Sequence, residues 1–485
     1  MGNILAAIVA QKKLEIKDLY AHHDFQQLQD AALAGTGSTM PSVPAFYRAL
    51  SASRHRQAPF FIAEFKRKSP SEGWINRLAD LPTQVLAYAQ AGAGAISVLT
   101  DTTFFGGSYT DLALAAATLD QQEFGIGARP LLLQKDFVLD PIQLYLARQH
   151  GADLILLIAA ILAPAQLQAL RQTAESIGLG VLVEVHDLEE LEGIQHLDFP
   201  VLGVNNRDLK TFRTALNRAN VLGRRAGGRF LIAESGLRDY RDFQVVRKAD
   251  GFLIGTSLMQ TWSAPPGPAG TTFAQHFQAS GRRLFKACGL RTPVLLQTTS
   301  ADYLGINFSP VSKRRPHAAT LTALKNLPDF PPQLVAVFYQ NTEADIRAVL
   351  ADYPFRTIQL YARDVTPDFV RSLRQKVILA CAVRTAEDLA YLEDFAADID
   401  FFILDGAVPG SGQGHSIPIP PDFPYPFLLA GGLHPGNLEQ ILAYANCIGV
   451  DVASGIETDG QVDASKMQAI ARQLADWSSR IVPTA

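Results

Sequence analysis

Short apolar, β-rich runs recur roughly every 20 to 35 residues along the first half of the chain, and a helix-length segment separates each from the next. They fall at Phe60–Lys66, Ala95–Thr100, Pro130–Asp136, Leu154–Ala160, Gly180–His186, Val201–Arg207, Phe230–Gly236 and Gly251–Ser257. The runs are apolar nearly throughout instead of alternating, as parallel strands buried on both faces must be. Eight β-α units in about 200 residues predict a closed barrel in preference to an open doubly wound sheet.

The pattern then repeats. A second set of eight runs lies at Arg283–Gly289, Asp302–Ser309, Leu334–Gln340, Phe355–Ala362, Lys376–Val383, Ile399–Gly406, Pro426–Gly432 and Ile448–Gly455. Between the sets, Ser263–Gly270 is the stretch richest in Pro and Gly, unsuited to helix or central strand, and Thr271–Ser280 reads as the last helix of the first set. The predicted architecture is therefore α/β, two consecutive (β/α)8 TIM barrels, with domains at residues 1–280 and 281–485. A single domain with one long loop is the competing reading, but it leaves the doubled strand count unexplained.

Both halves end alike. Ser235-Gly236 and Gly255-Thr256 fall at the ends of runs seven and eight of the first half, and Gly431-Gly432 and Ser454-Gly455 at the same places in the second. Those loops are where this architecture commonly holds phosphate, because glycines let backbone N–H groups approach the oxygens and the next helix N-terminus adds partial positive charge.

Composition narrows the function. The 485 residues are 48% hydrophobic and 19% charged with a net charge of −4, and no Lys/Arg block marks a nucleic-acid or membrane face. That favours small anionic ligands met by local positive charge. Residues 1–13 read as an amphipathic helix with no basic leader, and the longest apolar run, Leu154–Ala163, is half the length of a membrane span. Three cysteines, Cys288, Cys381 and Cys447, show no zinc spacing and suit reduced thiols in a cytoplasm. The expectation is a cytoplasmic enzyme with a small-molecule pocket, without metal or cofactor, acting as a monomer and binding neither nucleic acid nor membrane.

Each run of the first half begins apolar and ends polar: Glu64 and Lys66 at the first, Lys135 at the third, Glu184 and His186 at the fifth, Asn205 and Arg207 at the sixth. Residues two apart on a strand share a face, so these groups converge at the carboxyl end of the barrel. Rim salt bridges would account for one or two of them but not for the set. Converging Lys and Glu side chains form a general acid/base constellation in which proximity and partial burial are expected to bring pKa values toward neutrality.

The stretches Ala63-Glu64-Phe65-Lys66-Arg67-Lys68-Ser69-Pro70, Leu99-Thr100-Asp101, Gln134-Lys135-Asp136-Phe137, Glu184-Val185-His186, Asn205-Asn206-Arg207-Asp208 and Ala233-Glu234-Ser235-Gly236 resemble indole-3-glycerol-phosphate synthase, in order over nearly all of residues 1–260. The resemblance implies ring closure of 1-(2-carboxyphenylamino)-1-deoxyribulose 5-phosphate with loss of CO2 and water. It implies Lys135 as general acid, Lys66 on the anthranilate carboxylate and in expelling water, and Glu184 and Glu64 as proton carriers on the opposite side. Asn205 would orient the sugar hydroxyls, Arg207 support Glu184 or the carboxylate, and Ser69 with Ser235, Gly236, Gly255 and Thr256 grip the phosphate.

In the second half, Phe285-Lys286-Ala287-Cys288-Gly289-Leu290, Ser312-Lys313-Arg314, Gln359-Leu360, Leu404-Asp405-Gly406, Gly410-Ser411-Gly412-Gln413-Gly414, Ala430-Gly431-Gly432 and Asp451-Val452-Ala453-Ser454-Gly455 resemble phosphoribosylanthranilate isomerase. That family supplies the first half's substrate by an Amadori rearrangement. The resemblance implies Cys288 as general base at the sugar C2, Asp405 as the acid at the ring oxygen, Arg314 on the anthranilate carboxylate, and Gly431, Gly432, Ser454 and Gly455 around the phosphate. Lys286, on the strand face of Cys288, is expected to lower the thiol pKa. Three departures stand out: Tyr361-Ala362 where the family usually has His-Gly, Leu379 where a Lys is customary, and only about a dozen residues between Gly289 and Asp302. They leave open a second barrel that is weakened or only binds a phosphosugar. A different phosphosugar barrel, such as an isomerase of histidine biosynthesis, would share the glycine loops but lack the Lys66, Lys135 and Glu184 set.

Overall fold

The computed structural model describes residues 4–34, 44–124, 129–208, 211–261, 282–293, 296, 300–327, 330–331, 333–405 and 419–481. The chain divides into two compact units, each holding one barrel. The linker Ser263–Gly270, the helix expected at Thr271–Ser280, the boundary near residue 280 and the Gly406 to Gly414 motif lie outside the described residues.

In the first barrel the strands are β1 (Phe60–Phe65), β2 (Ala95–Leu99), β3 (Leu131–Lys135), β4 (Leu154–Ile158), β5 (Gly180–Val185), β6 (Val201–Asn205), β7 (Phe230–Glu234) and β8 (Gly251–Ile254). All are parallel, and β1 pairs with both β2 and β8, which closes the ring. The second barrel runs from β9 (Leu284–Cys288) through β10 (Tyr303–Asn307), β11 (Leu334–Val337), β12 (Thr357–Tyr361), β13 (Lys376–Ala382), β14 (Phe401–Asp405) and β15 (Phe427–Leu429) to β16 (Cys447–Val452), with β9 paired to β10 and β16. Both are closed eight-stranded barrels, as the repeated apolar runs predict. The strands stop one to three residues short of the predicted ends, and the residues beyond them, among them Lys66, His186 and Arg207, belong to the loops at the carboxyl end of the barrel.

Before the first barrel come α1 (Ile4–His22), α2 (Phe25–Ala34) and α3 (Ala45–His55). Phe46 and Leu50 of α3 are fully buried in one cluster with Phe60, Ile62, Leu133, Leu182 and Ile232 from inside the barrel. Each such side chain contributes about 1.5–3 kcal/mol by leaving water. The strands show how the core hands over to the chemistry: Ile62 is followed two residues on by Glu64, Leu133 by Lys135, Leu182 by Glu184 and Ile232 by Glu234. The period of two keeps each charged residue on the interior side, one layer above an apolar one.

No described helix is long and apolar enough to cross a membrane. Three of the helices after strands start on side-chain caps that fix where the loops end: Ser108, Asp140 and Asp187 each accept a hydrogen bond from a backbone N–H of the following first turn.

Candidate active sites

At the carboxyl end of the first barrel, Lys135 is the hub. Its Nζ lies 2.9 Å from Glu184 Oε2 on β5 and 2.9 Å from Glu234 Oε2 on β7. Asn205 Nδ2 donates to Glu184 Oε1 at 3.3 Å, and His186 Nε2 stands 3.2 Å from the same oxygen with its Nδ1 3.1 Å from Glu190 Oε2. Lys66, just past β1, is ion-paired with Glu64. The structure thus brings together Glu64, Lys66, Lys135, Glu184 and Asn205. Arg207 turns elsewhere: it is 3.9 Å from Glu72 Oε1 and donates to the Phe212 carbonyl, so the expected support of Glu184 is not what it provides here.

The electrostatics correct one expectation. Burial pulls Lys135 down, but Glu184, Glu234 and Glu64 more than offset it and the ammonium is held above its usual range, away from neutrality. Burial pushes Glu184 up, yet Lys135 and His186 hold it well below the ordinary carboxylate value. Glu234 is the group brought near neutrality. Its burial, added to the Glu184 charge, outweighs Lys135 and raises it to about 8. Its Oε1 is buried and without a hydrogen-bond partner among the described residues. Gly203 makes room for that oxygen, since a Cβ there would sit 2.4 Å from it. Burial lowers His186, but Glu184 and Glu190 raise it to about 10, so it is a cation at neutral pH.

Glu234 is given no role by the sequence alone, although a signal is present: it stands two residues after the apolar Ile232, in the pattern of its partners. Lys12 carried no comparable signal. This α1 residue is 4% exposed, and its Nζ is 2.8 Å from Asp136 Oδ1 and 3.2 Å from Asp101 Oδ2, carboxylates that follow β3 and β2. It ties the amino-terminal helix to the loops beside Lys135.

The phosphate candidates sit at the ends of β7 and β8. Ser235 and Gly236 both have positive φ, 64° and 82°, a left-handed turn of the kind in which successive backbone N–H groups can form an anion-binding concavity. Gly255 leaves no room for a side chain, because a Cβ would meet Glu64 Oε1 at 2.2 Å, and Thr256 opens the helix that follows. Ser69 is buried in a short strand, Lys68–Ser69, that pairs with Gly73–Trp74 after β1.

In the second barrel Cys288 and Asp405 close β9 and β14. Lys286 is fully buried with Nζ 2.9 Å from Asp451 Oδ1. Burial pushes the Cys288 thiol up, and although Lys286 pulls it down the net shift is upward, opposite to the sequence expectation. Desolvation, with the Asp451 charge added, outweighs the Lys286 and Arg314 charges. Arg314 is paired twice with Glu457, at 2.8 and 3.0 Å, so an incoming carboxylate would have to take the place of Glu457. Gly431 and Gly432 have positive φ, and a Cβ on Gly455 would lie 1.8 Å from the Leu433 carbonyl oxygen, so the loops after β15 and β16 are built on bare backbone. Ser454 and Gly455 form a single 3-10 turn with Ile456. Leu379 is buried inside β13. Tyr361, the last residue of β12, packs its ring 4.7 Å from that of Tyr339.

Residues 5–264 match the indole-3-glycerol phosphate synthase family and residues 286–473 the N-(5'-phosphoribosyl)anthranilate isomerase family. The chain is similar to the tryptophan biosynthesis protein TrpCF of Vibrio parahaemolyticus, with 31% identity over 97% of this chain and 93% of that protein. It is 31% identical to the multifunctional tryptophan biosynthesis protein of Schizosaccharomyces pombe over 87% of this chain, which spans 60% of that longer protein. The indole-3-glycerol phosphate synthase of Bacillus mycoides is 41% identical over 54% of this chain and 95% of its own length.

Proposed function

The chain belongs to the family of bifunctional tryptophan biosynthesis proteins that join an indole-3-glycerol phosphate synthase to a phosphoribosylanthranilate isomerase, and from that premise we propose how its own residues divide the two reactions. The second barrel isomerises N-(5-phosphoribosyl)anthranilate and the first closes the indole ring of the product. The match of residues 5–264 and 286–473 to the two families in order, and the likeness to bifunctional relatives over nearly all of the chain, support both activities over a second barrel that only binds.

In the first barrel Lys135 donates its proton to the substrate ketone oxygen as the aromatic carbon attacks, a step that needs a charged acid in a dry site. Glu184, ionised, holds that ammonium charged and placed, and Glu234, which keeps its proton up to about pH 8, lies against the same Nζ and returns a proton to Lys135 once it has donated its own. Lys66 receives the anthranilate carboxylate until CO2 leaves and the ring carbon regains aromaticity. The new hydroxyl then departs as water with a proton from Lys66, while Glu64 or Glu184 takes the proton released from the ring nitrogen. Asn205 orients the sugar hydroxyls, and Ser69, Ser235, Gly236, Gly255 and Thr256 hold the phosphate, with Arg207 at the rim.

In the second barrel Asp405 protonates the furanose ring oxygen, the ring opens to the iminium form, and Cys288 removes the C2 proton to give the enolamine, which tautomerises to the ketone. Arg314 meets the anthranilate carboxylate, and Gly431, Gly432, Ser454 and Gly455 meet the phosphate. Both reactions run without cofactor. The domain division near residue 280, action as a monomer and a cytoplasmic setting belong to the same reading, the last supported by three cysteines that form no disulfide.

The observation that carries the synthase assignment is the Lys135 ammonium held between two buried glutamates, Glu184 and Glu234, at the carboxyl end of the barrel. Purified protein given phosphoribosylanthranilate should form the ketone intermediate and then indole-glycerol phosphate. Accumulation of neither product would sink the reading.

A further inference from the structure

Two tyrosines stand at neighbouring strand ends of the second barrel. Tyr361 closes β12, and Tyr339 lies two residues beyond the end of β11. Their rings are 4.7 Å apart with planes inclined by 56°, and both residues are half-buried at the carboxyl ends of their strands, so the pair keeps some surface that a ligand can cover. The charged groups that act on Tyr361 are Asp405, Cys288 and Asp451, which places the ring beside the residues of the isomerase reaction.

The order of strands says which part of the substrate arrives there. In a ring of eight, β11 and β12 face β15 and β16, whose loops carry Gly431, Gly432 and Gly455. A substrate anchored by phosphate at those glycines, with its sugar between Cys288 on β9 and Asp405 on β14, directs its far end toward β11 and β12. That end is an aromatic acid. Its carboxylate has Arg314, on the loop after β10, the strand next to β11. Its ring needs an apolar face, and aromatic pairs favour offset or edge-to-face packing of the kind a tilted tyrosine pair offers.

We propose that Tyr339 and Tyr361 form the wall on which the anthranilate ring of the isomerase substrate packs, and that this wall makes the second barrel selective for an aromatic amine on the sugar. The inference rests on the isomerase reading of that barrel. It gives the Tyr361 departure a purpose: a phenol ring offers more apolar face than an imidazole. Burial, reinforced by the Asp405 charge, keeps its hydroxyl un-ionised. The ring, not the hydroxyl, carries the effect.

The test uses the full chain. kcat and KM for isomerisation are measured in Tyr361→Phe, Tyr361→Leu and Tyr339→Leu, with ring closure of supplied intermediate as a control on the other barrel. Tyr361→Phe should leave KM within about twofold, and each leucine variant should raise KM roughly 3- to 10-fold, the range of an aromatic pair contact. An unchanged kcat in those variants shows that the second barrel is still folded. A phenylalanine variant as impaired as the leucine one would overturn the wall in favour of hydroxyl chemistry, and an unchanged KM in both leucine variants would overturn it outright. A wild-type chain with no isomerisation would instead overturn the isomerase reading, and the wall with it.

Discussion

Glu184 on β5 and Glu234 on β7 share one cation: Lys135 Nζ is 2.9 Å from an oxygen of each. One ammonium cannot neutralise two buried carboxylates, so their environments drive them apart. Glu184, with His186 as a second cation, stays ionised, while Glu234 keeps a proton up to about pH 8. Such a split between paired groups is how one site holds an acid and a base together.

Glu234→Gln mimics the protonated form, preserving the packing against Gly203 but unable to release a proton. Ring closure should therefore fall by roughly 10²-fold, at the lower end for a positioned acid/base group, with KM changed little. Steady-state kinetics on supplied intermediate decides it, and wild-type turnover would reduce Glu234 to a structural neighbour.

The same shift ties stability to pH. Glu234 rises from 4.5 to about 8 on folding, so its contribution is complete below about pH 4.5 and is lost as pH climbs to about 8. His186, raised from 6.5 to about 10, is lost in the same direction over a higher window. Thermal unfolding of the first barrel should thus occur at lower temperature at about pH 9 than at about pH 6. In Glu234→Gln the part of the slope below pH 8 should flatten, and in His186→Asn the part above it; a slope unchanged in both variants would contradict the assigned shifts.

Lys135→Ala should abolish ring closure by a factor on the order of 10²–10⁴ and leave isomerisation intact, because the proton it donates is required only when the carbonyl is attacked. The two half-reactions, followed separately by absorbance, give the comparison. Near-normal synthase activity would refute the assignment.

How much of this was readable depends on where the partners lie along the chain. β1, β3, β5 and β7 announce both element and site, because an apolar interior position is followed at the period of two by a charge: Ile62 and Glu64, Leu133 and Lys135. Lys12 was unreadable. A single lysine on a helix looks like a solvated position, and only folding brings it to Asp101 and Asp136, about 90 and 120 residues away. The Cys288 thiol was misjudged for a related reason: the strand places Lys286 beside it, but the degree of desolvation is a property of the whole barrel.

The families matched at residues 5–264 and 286–473 do not overlap, and each range holds a full ring of strands and its own glycine loops. Expressing residues 1–280 and 281–485 separately should give two fragments that each keep one activity. Soluble fragments that are inactive alone but active when mixed would show that one site borrows from the other half.

The isomerase half offers the sharpest test. Cys288→Ala and Asp405→Asn should each block formation of the ketone intermediate while still converting supplied intermediate to indole-glycerol phosphate, since both residues belong to the second ring alone. Because burial holds the Cys288 thiol above its ordinary value, the base is scarce at neutral pH and the isomerase kcat/KM should climb on the alkaline side. Lys286 is the one cation that pulls against burial from the same strand face, so Lys286→Met should push that alkaline limb to still higher pH. Removing Lys286 also strands Asp451 in the interior, so Asp451 is replaced together with it, as Lys286→Met with Asp451→Leu, to separate loss of fold from loss of charge. A pH profile that stays put in Lys286→Met, with that protein folded, would mean that Cys288 is not the titrating base, whereas the double variant, which removes one group that lowers the thiol and one that raises it, should lie closer to the wild type.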